Sequence, residues 1–238
     1  MSCISIILLV CLPLLVVVHI FLVWASADVG SNIYVESYCK AKCDERYAAL
    51  TFDDGPDAKN SAKVLDVLKR HNIKATFFLW GERVEREPEL VARMVSEGHI
   101  VANHTQSHIA AFTIYNRARV RGEIKRCSDA IYRVAGVRPL LFRPPFGVTT
   151  PLIGRVIKDM GLKVIGWSVR SYDTIHRRTR KSVAEGIMRK IHPGAIILLH
   201  DRCDNVDELL EILIKEGTER GYRFVALDEM LKIKVYED

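Results

Sequence analysis

Two adjacent carboxylates, Asp53 and Asp54, end an apolar run (Tyr47 to Phe52) and are followed at once by Gly55-Pro56. The run reads as a buried strand and Gly-Pro as a turn, so both acids sit at a strand tip. An isolated Asp-Asp-Gly-Pro is more often an Asp-rich turn with a capping side chain. A second pair of residues gives it another meaning. His104 and His108 are four apart, and on a helical turn that spacing puts both imidazoles on one face. A carboxylate beside them completes a two-histidine, one-carboxylate set. Such a set leaves one coordination position open for water, as catalytic zinc sites do. A divalent ion there acidifies water and polarises a carbonyl oxygen, which is what hydrolysis of an amide or ester requires. Arg143, Asp173 and His200 each suit a commonplace role when taken alone. Arg143 fits a surface or capping arginine, Asp173 a loop ion pair beside Arg177 and Arg178, and His200 a loop histidine.

The elements that carry these residues argue otherwise. Apolar, β-branched or aromatic runs at 47–52, 75–80, 99–103, 140–143, 163–169, 195–199 and 222–225 alternate with amphipathic helical stretches. Near-continuous apolar strands alternating with helices imply a parallel sheet covered by helices. Closed on itself, that is an irregular TIM-like (β/α) barrel of about seven strands; an open doubly wound sheet is the alternative. No glycine-rich dinucleotide loop and no repeat is present. Asp53-Asp54, His104 with His108, Arg143, Asp173 and His200 all follow the C-terminal ends of strands. In a barrel those ends converge on one mouth.

Five segments occur in order: Thr51-Phe52-Asp53-Asp54-Gly55-Pro56, His104-Thr105-x-x-His108, Arg143-Pro144-Pro145-Phe146-Gly147, Trp167 to Asp173, and Leu198-Leu199-His200. In order, spacing and strand position they resemble the five motifs of the NodB-homology polysaccharide deacetylases, carbohydrate esterase family 4, over about residues 45–230. The resemblance implies that Asp54, His104 and His108 hold a divalent metal, Zn2+ first and Co2+ as a substitute. It implies Asp53 as the general base that activates the attacking water, oriented by Arg143. It implies His200 as the general acid for the leaving amine, tuned by Asp173. The backbone N–H of Phe146 would help stabilise the oxyanion, and Leu198 would line the pocket for the acetyl methyl. One departure is plain: the aspartate of the fourth motif is usually followed by Trp, and here Thr174 follows Asp173. That bears on the sugar- or acetyl-facing wall and not on the metal. The implied reaction removes N-acetyl groups from N-acetylglucosamine-type residues of peptidoglycan or a chitin-like glycan. An O-acetyl esterase acting on a polysaccharide such as xylan, or an inactive glycan-binding homologue, would share the same motifs.

The bulk of the sequence sets the surroundings. At 238 residues the chain suits one sizeable domain, expected over 45–238 and as a monomer. Its 35 basic and 29 acidic residues give +6, spread along the chain rather than blocked, so no nucleic-acid partner is expected. Residues 1–27 contain no Lys, Arg, Asp or Glu, and 4–24 are almost wholly apolar. Ala25-Ser26-Ala27 suits cleavage of a signal peptide, whereas the length of the run suits an uncleaved membrane anchor. Either reading places the domain outside the cytoplasm, with 28–44 as a linker or N-terminal strap. An oxidising compartment makes a disulfide plausible among Cys39, Cys43, Cys127 and Cys203. His19, His71, His99, His176 and His192 are read as structural or solvent-exposed.

Overall fold

The structure is a computed structural model that describes residues 3–238, with side chains from residue 11 onward. It opens with α1 (Cys3–Ala27), β1 (Ser37–Tyr38) and β2 (Tyr47–Gly55). Next come α2 (Ser61–Arg70), β3 (Thr76–Leu79), α3 (Gly81–Arg86), α4 (Pro88–Ser96) and β4 (Ile100–Asn103). The middle contains α5 (Arg117–Ala135), β5 (Leu141–Phe142), α6 (Pro151–Asp159), β6 (Lys163–Ile165) and β7 (Val169–Arg170). It ends with α7 (Arg180–Met188), β8 (Ala195–His200), α8 (Val206–Glu219), β9 (Arg223–Phe224) and α9 (Leu227–Leu231).

The strands pair in the order β1-β6-β5-β4-β3-β2-β8-β7, with β9 beside the start of β2, and every one of these ladders is parallel. β6 and β7 are neighbours in the chain yet lie at opposite ends of that order. The expected fifth strand therefore breaks at Gly166-Trp167-Ser168 and changes partner, from β5 on one side to β8 on the other. Through this one interrupted strand the sheet curls round on itself. The result is an irregular, barrel-like parallel sheet wrapped by helices, as the strand pattern predicts, and not a doubly wound open one.

Strand alternation sorts the core into two sides. Ala48, Leu50 and Phe52 of β2 pack with α2, α7 and α8 side chains such as Leu65, Ile187 and Leu213. Ala49 joins Phe78, Ala102, Ile165 and Ile196 inside the curl, where Leu227 and Met230 of α9 lie against them. Thr51 and Asp53 continue the Ala49 side of β2, so period-2 geometry aims them along the interior toward the C-terminal mouth.

The 28–44 stretch is a strap with a strand of its own. Ser37 and Tyr38 of β1 pair with Val164 and Ile165, and Lys40 then bridges to Ala195 of β8. The strap thus lies along the seam between β6 and β8. Among the described residues no helix is long and apolar enough to cross a membrane. The leader-or-anchor expectation rests in part on residues 1–10, whose side chains lie outside the described residues. The expected disulfide is not formed: Cys39, Cys43, Cys127 and Cys203 are free thiols. Cys127 is fully buried on α5 with its Sγ 3.3 Å from the Leu79 carbonyl, and burial pushes that thiol up to about 12.

Candidate active site

The mouth holds a cleft of about 350 Å³ walled by Asp53, Asp54, His104, His108, Leu198 and His200, among others. Asp53 is placed by strand register. Its Cα lies opposite that of His200 across the β2–β8 ladder, so the two side chains leave one sheet edge side by side. Arg143 Nη1 donates to Asp53 Oδ1 at 2.6 Å and to Thr51 Oγ1 at 3.0 Å. Its other donors reach the carbonyls of Ile165 (3.0 Å) and Gly166 (2.8 Å), at the point where the fifth strand breaks. The guanidinium is fully buried and lies 4.0 Å over the Phe78 ring. An arginine in such a position is fixed from several sides and fixes Asp53 in turn.

Asp54 reaches the same cleft by a different device. Simple alternation would turn it toward the helices, with Phe52. Instead the β2–β3 register slips between Asp53 and Gly55, so Asp54 is the extra residue of a bulge, with φ +72°. Left-handed backbone is tolerated better by Asp than by most residues, and a bulge re-aims a side chain. A turn at Gly55-Pro56 is therefore not what brings Asp54 round; the bulge one residue earlier does so. Asp54 Oδ1 lies 3.7 Å from His104 Nε2 and 3.6 Å from His108 Nε2, and it accepts from Trp80 Nε1 at 3.2 Å. Asp54 Oδ2 accepts from Arg202 Nε at 2.8 Å.

The two histidines meet without a helix, contrary to the expected helical turn. Residues 104–108 form a bent loop in which Thr105 (φ +71°) and His108 (φ +48°) are left-handed. This loop is pinned from two helices. The Gly81 and Glu82 N–H groups at the start of α3 donate to the Thr105 and Gln106 carbonyls, each at 3.0 Å. Glu123 of α5 accepts from the Ser107 N–H (2.9 Å) and hydroxyl (2.7 Å). His104 Nδ1 lies 2.7 Å from the Arg143 carbonyl, which can only accept, so Nδ1 carries the proton and Nε2 offers its lone pair to the cleft. His108 is stacked on Trp80 with ring centroids 4.8 Å apart.

Electrostatics suit cation binding. Burial alone would raise Asp54, but His104, His200, Arg202 and His108 outweigh it and hold the carboxyl at about 2. Burial, reinforced by His104, lowers His108 to about 3, so it is neutral and has a free lone pair at physiological pH. Asp54, His104 and His108 each present a donor atom within 4.8 Å of the others. An anionic carboxylate and two neutral imidazoles fit a divalent cation.

Asp173 is almost fully buried and gives both oxygens to His200. Oδ1 accepts from Nδ1 at 2.8 Å and Oδ2 from the His200 backbone N–H at 2.7 Å, while Ser171 Oγ adds a third bond. Burial pulls His200 down, but the Asp173 bond and charge reverse the sign and hold it above the usual imidazole range. Leu198 lies on the cleft wall in register with Thr51, and Phe146 (φ +59°) exposes its ring at the rim against His108. All nine residues expected from the sequence therefore meet at one mouth. Two further ones do as well: Trp80, at the end of β3, and Arg202. Arg202 stands two residues beyond His200, the spacing that keeps a side chain on one face of an extended strand.

Fold and site together define a parallel α/β hydrolase-type barrel with a carboxylate–histidine cation site at its C-terminal mouth. Residues 40–165, more than half of the chain, match the family described as polysaccharide deacetylase. The chain belongs to that family. It is 36% identical over 200 residues to the peptidoglycan-N-acetylglucosamine deacetylase PgdA of Listeria monocytogenes, covering 84% of this chain. The chain spans less than half, 42%, of that relative's length. It is 33% identical over 190 residues to the peptidoglycan-N-acetylmuramic acid deacetylase PdaA of Bacillus subtilis, covering 79% of this chain and 72% of PdaA. The crystal structure of the Bc1960 peptidoglycan N-acetylglucosamine deacetylase, an inhibitor complex, superposes with a TM-score of 0.78 at 32% identity, covering 82% of this chain and 92% of that one.

Proposed function

We propose that this chain is a metal-dependent deacetylase that hydrolyses N-acetyl groups of N-acetylhexosamine residues in a glycan, with peptidoglycan as the first candidate. The observation that carries the reading is the pairing of Asp53 and His200, in register across β2 and β8, beside the three-donor set of Asp54, His104 and His108. Amide hydrolysis needs a base on the attacking side and an acid on the leaving side, and these are two separate groups here. Relatives named for cell-wall peptidoglycan support an extracytoplasmic place of action.

Asp54, His104 and His108 would hold the cation, with Zn2+ as the first choice on donor chemistry. When bound, that ion acidifies water and draws charge from the acetyl carbonyl. The chain's own residues do the rest. Asp53, clamped by Arg143, takes the proton of the attacking water. His200 keeps a proton through Asp173 and gives it to the departing amine. Leu198 offers an apolar wall for the acetyl methyl. The Phe146 N–H adds a hydrogen bond to the oxygen that gains charge.

Acetate release is the direct measurement. The zinc- or cobalt-loaded protein should release acetate from peptidoglycan or N-acetylglucosamine oligomers faster than from acetylxylan. Asp53→Asn should lower turnover by about 10³-fold, the scale of losing a catalytic base, while cation binding measured by calorimetry is retained. No release from any N-acetylated glycan by the loaded protein would sink the proposal.

A further inference from the structure

Beside the active cleft lies a second cavity of about 630 Å³ between the 171–180 loop and the segment after β8. The two share walls, Thr174 and Arg202. Thr174 is the position where the family usually has a Trp, so the partition between the two spaces is low in this chain.

The second cavity is cationic. Residues 170–181 include Arg170, Arg177, Arg178, Arg180 and Lys181, with Asp173 as their single acid. Arg178 and Arg180 line the cavity but spend their donors on carbonyls. Arg178 donates to Ser171 (3.0 Å) and Ser182 (2.7 Å), and Arg180 to Asp173 (3.2 Å). Carbonyl partners fix the guanidinium groups without neutralising them. Among the described residues neither arginine makes an ion pair. The acids on the walls are mostly answered elsewhere: Asp173 by His200, and Asp204 by Lys59 at 2.7 Å. Glu208 alone is left to oppose the arginines.

We propose that this cavity is an anion subsite that takes a carboxylate carried by the glycan substrate, next to the sugar whose acetyl group is removed. The inference rests on the deacetylase reading and adds substrate class to it: glycans bearing carboxylates over neutral ones. Two sources of that carboxylate exist in peptidoglycan. One is the lactyl ether of a muramic-acid residue, and the other is the peptide attached to it.

The test uses the metal-loaded full chain and four substrates: a neutral N-acetylglucosamine tetramer, peptide-free peptidoglycan strands, the same strands with carboxylates converted to methylamides, and intact peptidoglycan. Binding is measured alongside acetate release, so the subsite is judged even if no acetate appears. Carboxylated strands should bind and react with a lower KM than amidated ones, and added salt should erase the difference. The double variant Arg178→Gln/Arg180→Gln should raise KM or Kd for carboxylated strands about 5- to 20-fold with kcat unchanged, since two exposed ion pairs are lost. The neutral tetramer should be unaffected, which also shows that the loop still holds Asp173. Glu208→Gln, an exposed change, should act in the opposite sense and tighten carboxylated strands about twofold. An effect present with peptide-free strands assigns the lactyl group, and one confined to intact peptidoglycan assigns the peptide. Equal binding of native and amidated material, or equal losses on neutral and charged substrates, would overturn the subsite. Acetate release from none of the four, with the binding difference intact, would instead overturn the deacetylase reading.

Discussion

Arg143 is the residue on which the interior of the mouth depends. It is buried without water, yet every direction of its fork has an acceptor: a carboxylate, a hydroxyl and two carbonyls. Removing it strands the Asp53 charge and two buried carbonyls together. Arg143→Ala should therefore cost about 3–5 kcal/mol in urea unfolding, the scale of breaking a buried pair. Arg143→Lys should recover little, because an ammonium cannot span that fork. The Asp173–His200 pair sets the pH behaviour. Asp173 is held below the usual carboxylate range, its bonds from His200 outweighing the effect of burial. Its share of stability is present above an unfolded pKa of about 4 and is lost as pH falls through the lower folded value. His200 is raised, so its share is full below about 6.5 and is lost as pH rises through the higher folded value. The pair is at full strength between those limits. Loss of the alkaline limb of kcat/KM should begin above the usual histidine range, and Asp173→Asn should move that limb to lower pH. A pH–rate profile of the two proteins checks it, and an unmoved limb would show that Asp173 does not tune His200.

At the scale of elements, legibility in the sequence follows physical simplicity. The long buried strands are readable because apolar runs bounded by acids, Gly or Pro form little else in a folded chain of this size. Their C-terminal ends define the mouth, and the mouth gathers the site residues. The devices that aim those residues are not readable. Nothing in Phe52-Asp53-Asp54-Gly55 announces a bulge at Asp54. The expected fifth strand looks continuous because Val164 to Val169 is mostly apolar, though its halves serve opposite ends of the sheet. α3 escapes notice because Gly81 to Arg86 holds one apolar side chain, Val84, among charges. Yet the first N–H groups of α3 hold the histidine loop. A Cβ on Gly81 would lie 1.9 Å from Gln106 Oε1 and 2.9 Å from the Cys127 Cα. Gly81→Ala should thus displace the 104–108 loop and weaken zinc binding by about tenfold or more, the range seen when groups supporting metal ligands are changed. Calorimetric titration with zinc reads the effect directly, and unchanged affinity would mean that α3 does not position the histidines.

At the scale of the whole molecule, the weak point is the seam where β6 gives way to β7. A closed barrel has no edges, but here the strand that closes the ring pairs with each neighbour over only two or three residues. The strap covers what is left. β1 extends β6, Lys40 bridges to β8, and the Ala41 N–H donates to the Gly194 carbonyl at 2.8 Å. The strap runs so close that side chains on the barrel would collide with it. A Cβ on Gly194 would lie 2.3 Å from the Ala41 carbonyl oxygen, and one on Gly166 would lie 2.4 Å from Cys39 Sγ. Gly194 also has φ +73°, which penalises any other residue. Gly194→Ala should consequently cost about 1–3 kcal/mol, combining backbone strain with a displaced strap. Because Gly166 and Ile165 also receive the Arg143 fork, a lifted strap loosens the wall behind Asp53. The variant should then lose turnover at temperatures below its melting point, together with faster proteolysis within 28–44. Thermal melts, limited proteolysis and acetate release at several temperatures separate the cases. A variant that melts early but keeps full turnover until it melts would show that the strap supports the fold and not the site.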